Sequence, residues 1–164
     1  MRSLLQTLYR DFVSISEEID EMTQSVTMLS KQSPRYDAIR NIPGFGPILT
    51  AALISEVGAG HQFQNGRQFS AWCGLFPKQN STGGKSSLGS LSNNGNRELR
   101  VLLIHGARAV VRCGANKADS MGAWLRGLIA RPIVALANKL GRVAWHIWRK
   151  IVNTISIRLL NLFE

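Results

Sequence analysis

Ser81-Thr82-Gly83-Gly84-Lys85 sets two hydroxyls beside a glycine pair and a cation, with Lys78 just upstream and Ser86-Ser87 just downstream. This combination can hold a phosphodiester by charge while a serine oxygen attacks phosphorus. A free serine is a poor nucleophile and needs a base, a metal or a strong anion clamp. Lys78 and Lys85 are clamp candidates, joined by Arg97 and Arg100 at the start of the following helix and by Arg108 further along it. Ser81 is the first choice of nucleophile, with Ser86 and Ser87 behind it. No base is evident: His61 and His105 are available, but a lone histidine on an apolar helix, as His105 is, usually serves structure. The segment is not a nucleotide-binding loop, because Gly83 and Gly84 directly precede Lys85 and no glycine stands five residues before Gly84.

A second glycine cluster, Ile42-Pro43-Gly44-Phe45-Gly46-Pro47, stands between a helical run ending near Ile39 and an apolar run from Ile48 to Val57. Ser33-Pro34 suits the start of the first helix and Gly58 stops the second. The order looks like a helix–hairpin–helix over about residues 34–58. Gly44 and Gly46 would let the backbone turn tightly and approach a phosphate, and the next helix would offer free amides and its positive end. A helix–helix turn that binds nothing is the plainer alternative.

Charge points to the same kind of partner. The 164 residues hold 20 basic and 10 acidic side chains, a net +10. Residues 1–40 carry five basic and six acidic groups, so the remainder carries +11. Such an excess suits a polyanion such as nucleic acid. At 45% hydrophobic and 18% charged residues, the chain has an ordinary globular balance rather than a disordered one. Two cysteines, Cys73 and Cys113, form no CxxC pair, so neither a disulfide framework nor a zinc site is indicated. The acidic start is unlike a signal peptide, and no apolar run is long enough to span a membrane. These features fit a cytoplasmic, bacterial-type protein.

The elements that must carry these residues are mainly helical. Leu5, Leu8, Phe12, Ile15, Ile19, Met22, Val26 and Leu29 alternate spacings of three and four, an unbroken heptad seam. That predicts a coiled-coil-like helix over 1–32, covered either by the chain's own core or by a second copy in a homo-oligomer through residues 5–29. Residues 65–74 read as a short helix with Phe69, Trp72 and Leu75 on its apolar side. Residues 77–96 read as a long Ser/Gly-rich loop, a length that within a compact domain tends to be functional. A helix from Asn96 to about Arg112 buries Leu99, Leu102, Leu103, Gly106 and Val110. Another starts at Ser120, and Pro132 opens a long one through Leu136, Leu140, Val143, Ile147 and Ile151. On the last, Trp145 and Trp148 are core residues or, with Arg142, Arg149 and Lys150, a nucleic-acid face; residues 145–163 also admit a membrane-surface helix.

The block from Gly66 through Trp72-Cys73-Gly74-Leu75-Phe76-Pro77-Lys78-Gln79-Asn80-Ser81-Thr82-Gly83-Gly84-Lys85 resembles the C-terminal transposase domain of insertion-sequence family 110. Leu99 to Ala109, Val134 to Trp145 and the Ile42–Gly46 turn extend the resemblance over about residues 33–148. It implies RNA-guided, site-specific recombination of DNA. A RuvC-like domain with a DEDD carboxylate set would hold the divalent metal, expected to be magnesium, and this C-terminal domain would supply an essential serine that forms a covalent serine–DNA phosphodiester. The family's Ser-[Ser/Thr]-Gly element maps onto Ser81-Thr82-Gly83, and its interdomain coiled coil, which helps assemble the multimer, onto the heptads.

The chain departs from that pattern in several places. Residues 1–40 cannot form a RuvC-like domain, and the later acids, Glu56, Glu98, Asp119 and Glu164, are dispersed, so no cofactor of this chain's own is expected. The lysine that often precedes the glycine near Asn94-Gly95 is absent, and residues 153–164 form an atypical tail after a transposase domain over 33–152. The expectation is the DNA-binding, serine-bearing part of a mobile-element transposase, contacting DNA and a guide RNA but no membrane. A non-catalytic DNA- and RNA-binding remnant is the alternative.

Overall fold

The computed structural model describes residues 1–58, 60–82, 85–92, 94–114, 123 and 132–160. The expected helix from Ser120 lies outside the described residues apart from position 123. Six helices and one hairpin are described: α1 (Arg2–Lys31), α2 (Tyr36–Arg40), α3 (Pro47–Val57), α4 (Gly66–Trp72), β1 (Pro77–Thr82), β2 (Lys85–Leu91), α5 (Arg97–Gly114) and α6 (Pro132–Leu160). The mainly helical class read from the sequence holds.

The core is the meeting of α2 through α6. Ile39, Phe45, Leu53, Phe69, Leu75, Leu99, Leu103, Leu136 and Trp148 are fully buried, and α6 packs across α4 and α5. Phe63, Phe69 and Trp72 form a ring cluster, with Phe63 edge-on to Phe69 at 5.3 Å. Trp148 is a core residue, closed off by Gly60 and by the Arg35 guanidinium 4.7 Å above its ring. On α5 the expected stripe is close to the observed one: Leu99, Leu103 and Gly106 are buried, and Leu102 and Val110 are half-buried. On α6 Leu136 and Leu140 are buried as expected and Ile147 and Ile151 half-buried, but the buried face is broader than the expected stripe. Ala137, Leu140, Gly141, Ala144 and Trp148 face the core, while Val143 is exposed. Small residues stand at 137, 141 and 144, where they let α6 lie close to α4: a β-carbon on Gly141 would sit 3.4 Å from Ser70 Oγ.

One open alternative is excluded and one expectation is corrected. The heptad seam does not lie on the chain's own core. None of α1 is buried, and Leu8, Phe12 and Ile15 are 57%, 69% and 56% exposed. Among the described elements it packs mainly on α3 and less on α2, and Thr23, Thr27 and Ser30, beside the apolar stripe rather than on it, are half-buried.

The Ser/Gly-rich segment is not a structureless loop. β1 and β2 pair antiparallel, with Gln79 opposite Leu88, Asn80 opposite Ser87, Ser81 opposite Ser86 and Thr82 opposite Lys85, and with an irregularity between Pro77 and Gln79. Composition misleads here because Ser, Gly and Asn have poor strand propensity, whereas the pairing satisfies backbone groups regardless of side chain.

Candidate nucleic-acid interface

The hairpin is rooted by a tight backbone junction between α4 and α5. Asn65 caps α4, its side chain accepting from the amides of Arg67 and Gln68 at 3.0 Å. After α4 the chain turns through Gly74 at φ +69° and returns through Gly95 at φ +99°. Both need glycine twice over: the conformation is left-handed, and a β-carbon on Gly95 would collide with the Trp72 carbonyl oxygen, one on Gly74 with the Asn94 carbonyl oxygen and the Arg100 guanidinium. The Asn96 amide donates to the Trp72 carbonyl (2.8 Å) and the Ser92 amide to the Phe76 carbonyl (2.9 Å). The Asn96 side chain both caps α5, accepting from the Leu99 amide at 3.0 Å, and donates to Glu56 Oε2 at 3.1 Å.

Arg100 is the clamp of this junction. Its Nη1 donates to the carbonyls of Ser92 (3.1 Å) and Asn94 (3.3 Å). Below it lies Cys73, fully buried; desolvation pushes its thiol from 9.0 up to about 12, and the Arg100 charge works weakly in the other direction. Part of the guanidinium expected to meet a phosphate therefore serves the hairpin instead.

The remaining sequence candidates separate into two groups. Ser81, Ser86, Ser87 and Lys85 come together in the register where Thr82 pairs with Lys85. Lys78 is exposed nearer the root, and Arg97 and Arg108 are exposed on α5. Helical spacing puts Arg97, Val101, His105, Arg108 and Arg112 along one face of α5, and all five are exposed. His105 is thus a surface residue and not a core one. Arg112 belongs to this cationic face, a membership legible in the spacing of 97, 108 and 112.

The glycine turn of residues 42–47 packs elsewhere along α5. Gly44, at φ +86°, presses on Gly106 and Val110, and Arg40 Nη1 donates to the Phe45 carbonyl at 2.7 Å. Gly46 precedes α3 with nothing within 4 Å of its would-be β-carbon. Of the two glycines, Gly44 is occupied by packing within the chain, and Gly46 is open.

A groove missed as such by the sequence lies between the start of α4 and the outer face of α6. Arg67 stands on one side, with Lys139, Arg142 and His146 on the other, all four exposed.

Residues 36–121 match the transposase family described as IS116/IS110/IS902. Over 150 residues the chain is 42% identical to a probable family 20 transposase of Pseudomonas aeruginosa, covering 88% of this chain and 44% of that protein. It is 38% identical to the transposase for insertion sequence element IS1111A of Coxiella burnetii, covering 88% of this chain and 41% of that protein. Against the transposase for IS1328 of Yersinia enterocolitica it is 33% identical, covering 87% of this chain and 44% of that protein. The chain thus spans under half the length of each of these relatives. With the match running from α2 beyond α5, through the hairpin and its root, this chain belongs to the IS116/IS110/IS902 family of transposases.

Proposed function

We propose that this chain is the DNA-binding, serine-bearing part of a mobile-element transposase, acting in DNA transposition by site-specific strand transfer. What supports the reading above all is the hairpin, whose pairing sets Ser81 opposite Ser86 while its root is held by Gly74, Gly95 and Arg100. In the proposed step, Ser81 Oγ bonds to the phosphorus of a DNA phosphodiester. The bond from phosphorus to one flanking deoxyribose oxygen breaks, and that oxygen leaves as a hydroxyl with a proton from solvent, while the serine proton passes to solvent. Cations hold the phosphate during the exchange: Lys78 and Lys85 from the hairpin, with Arg97 and Arg108 from α5.

The open Gly46 and the start of α3 are a sequence-independent contact to duplex backbone, in the manner of a helix–hairpin–helix. A guide RNA is the second polyanion of this reading, on the resemblance to insertion-sequence family 110. The exposed seam of residues 5–29 joins copies of the chain as a coiled coil. Among the described residues no three His, Cys, Asp or Glu side chains come together. They do not fit a divalent metal, so no step is routed through one, and the expected magnesium belongs with carboxylates outside these residues. No helix of the described residues is long and apolar enough to cross a membrane, and the place of action is the bacterial cytoplasm, on DNA.

The test supplies a DEDD carboxylate domain and guide RNA in trans to the chain and looks for a denaturant-resistant DNA adduct. The adduct should disappear in Ser81→Ala and persist in Ser86→Ala. An adduct that survives Ser81→Ala overturns the nucleophile. No adduct in the native sequence, with salt-steep DNA binding intact, assigns the chain as a non-catalytic nucleic-acid-binding remnant.

A further inference from the structure

The groove between α4 and α6 is open and about 870 Å³ in volume, and among the described residues that line it none is aspartate or glutamate. Lys139, Arg142 and His146 follow one another at spacings of three and four, so they form a single stripe along α6. At 1.5 Å per residue the stripe runs about 10 Å, roughly three nucleotides of a DNA strand at 3.4 Å each. Arg67 faces that stripe from α4. Gly66 makes this possible: a β-carbon there would stand 3.3 Å from the Cα and carbonyl oxygen of Arg142, so the first turn of α4 abuts α6 at that residue. The α4 amides of Arg67 and Gln68 are already taken by the Asn65 cap, which leaves the cationic side chains, not the helix end, to attract an anion.

Trp145 decides which kind of nucleic acid suits the groove. Its ring is half-buried against the core, and the Arg149 guanidinium lies 5.4 Å from the ring centroid. With one side on the core and a guanidinium over the ring, it is a poor platform for an unstacked base, which is what single-strand binders provide. Cations without a stacking platform match the phosphates of a duplex.

The groove is also tied to the hairpin. Asn138, which lines it, donates through Nδ2 to the Leu75 carbonyl at 3.3 Å, two residues before β1, and its own carbonyl accepts from Ser70 Oγ at 3.2 Å. We infer that the α4–α6 groove is a second DNA-binding site, gripping the phosphate backbone of duplex DNA through Arg67, Arg142, Lys139 and His146 and leading that duplex past the foot of the hairpin. This inference rests on the transposase reading for its choice of DNA, and it concerns binding alone.

The experiment measures binding of the full chain to a 30-base-pair duplex of arbitrary sequence across a salt series, for the native sequence, Arg67→Gln/Arg142→Gln and Arg67→Lys/Arg142→Lys. Each phosphate contact contributes about 0.9 to the slope of log affinity against log salt. The glutamine pair should weaken binding equally across sequences and flatten the slope by about 2, with an unchanged melting temperature, and the lysine pair should restore the slope. The slope is read on binding alone and the Ser81 adduct in its own assay, which separates this site from the serine chemistry. An unchanged slope in the glutamine pair overturns the site. A hairpin RNA or single strand that loses affinity in that pair while duplex DNA does not overturns the assignment to DNA.

Discussion

Gly44 and Gly106 meet backbone to backbone: a β-carbon on Gly44 would stand 2.7 Å from the Gly106 carbonyl oxygen, and one on Gly106 would collide with the carbonyl oxygen of Gly44. The contact seats the turn before α3 on the middle of α5, six residues and barely two turns beyond Arg100. A glycine pattern that suggests phosphate binding thus has, at Gly44, a packing cause.

The two glycines of that turn should therefore separate stability from binding. Gly44→Val adds a branched side chain at positive φ against backbone and should cost about 3 kcal/mol or more in urea unfolding. Gly46→Ala enters open space and should cost about 1 kcal/mol or less, while weakening duplex binding several-fold. Equal stability losses at both positions would contradict the distinction.

Cys73 should make stability fall in alkali. Its folded thiol titrates near 12 instead of 9.0, so between those values the unfolded chain loses a proton that the folded chain keeps. The stability contributed by this group is complete below about pH 9 and declines toward pH 12, at up to about 1.4 kcal/mol per pH unit. Urea midpoints from pH 8 to 11 should decline more steeply for the native sequence than for Cys73→Ala. At pH 8 a thiol reagent should modify exposed Cys113 and spare Cys73 until the protein unfolds.

Arg100 should prove to be a clamp before it is a DNA ligand. Arg100→Gln removes charge-assisted bonds to two carbonyls and should cost about 2 kcal/mol, with faster amide exchange at Ser92 and Asn96. Because the Arg100 charge lowers the Cys73 titration, its loss should push that thiol higher still. Native-like exchange at the hairpin root in this variant would refute the role.

The seam of α1 should control assembly without affecting the folded core. Leu8→Asp with Ile15→Asp alters residues that are more than half exposed within the chain. Sedimentation equilibrium should show dissociation to monomer, while the near-ultraviolet signal of the tryptophans in the core is retained. A native sequence that is already monomeric would remove the coiled-coil reading.

The sequence by itself determined the helical class, the α1 seam, a short helix read over 65–74 and the family, because these rest on local periodicity and a dense block of residues between Gly66 and Lys85. It could not show that 77–91 pair as a hairpin, since ladder bonds form between backbone groups and leave little trace in a Ser/Gly-rich composition. Nor could it tell that Arg100 is spent on carbonyls while Arg97 and Arg108 face outward, because a guanidinium looks the same in sequence whether its partner is a phosphate or a turn. The α4–α6 groove was equally hidden. Arg67 and Arg142 are 75 positions apart, and only the close approach that Gly66 permits brings them to the same cleft.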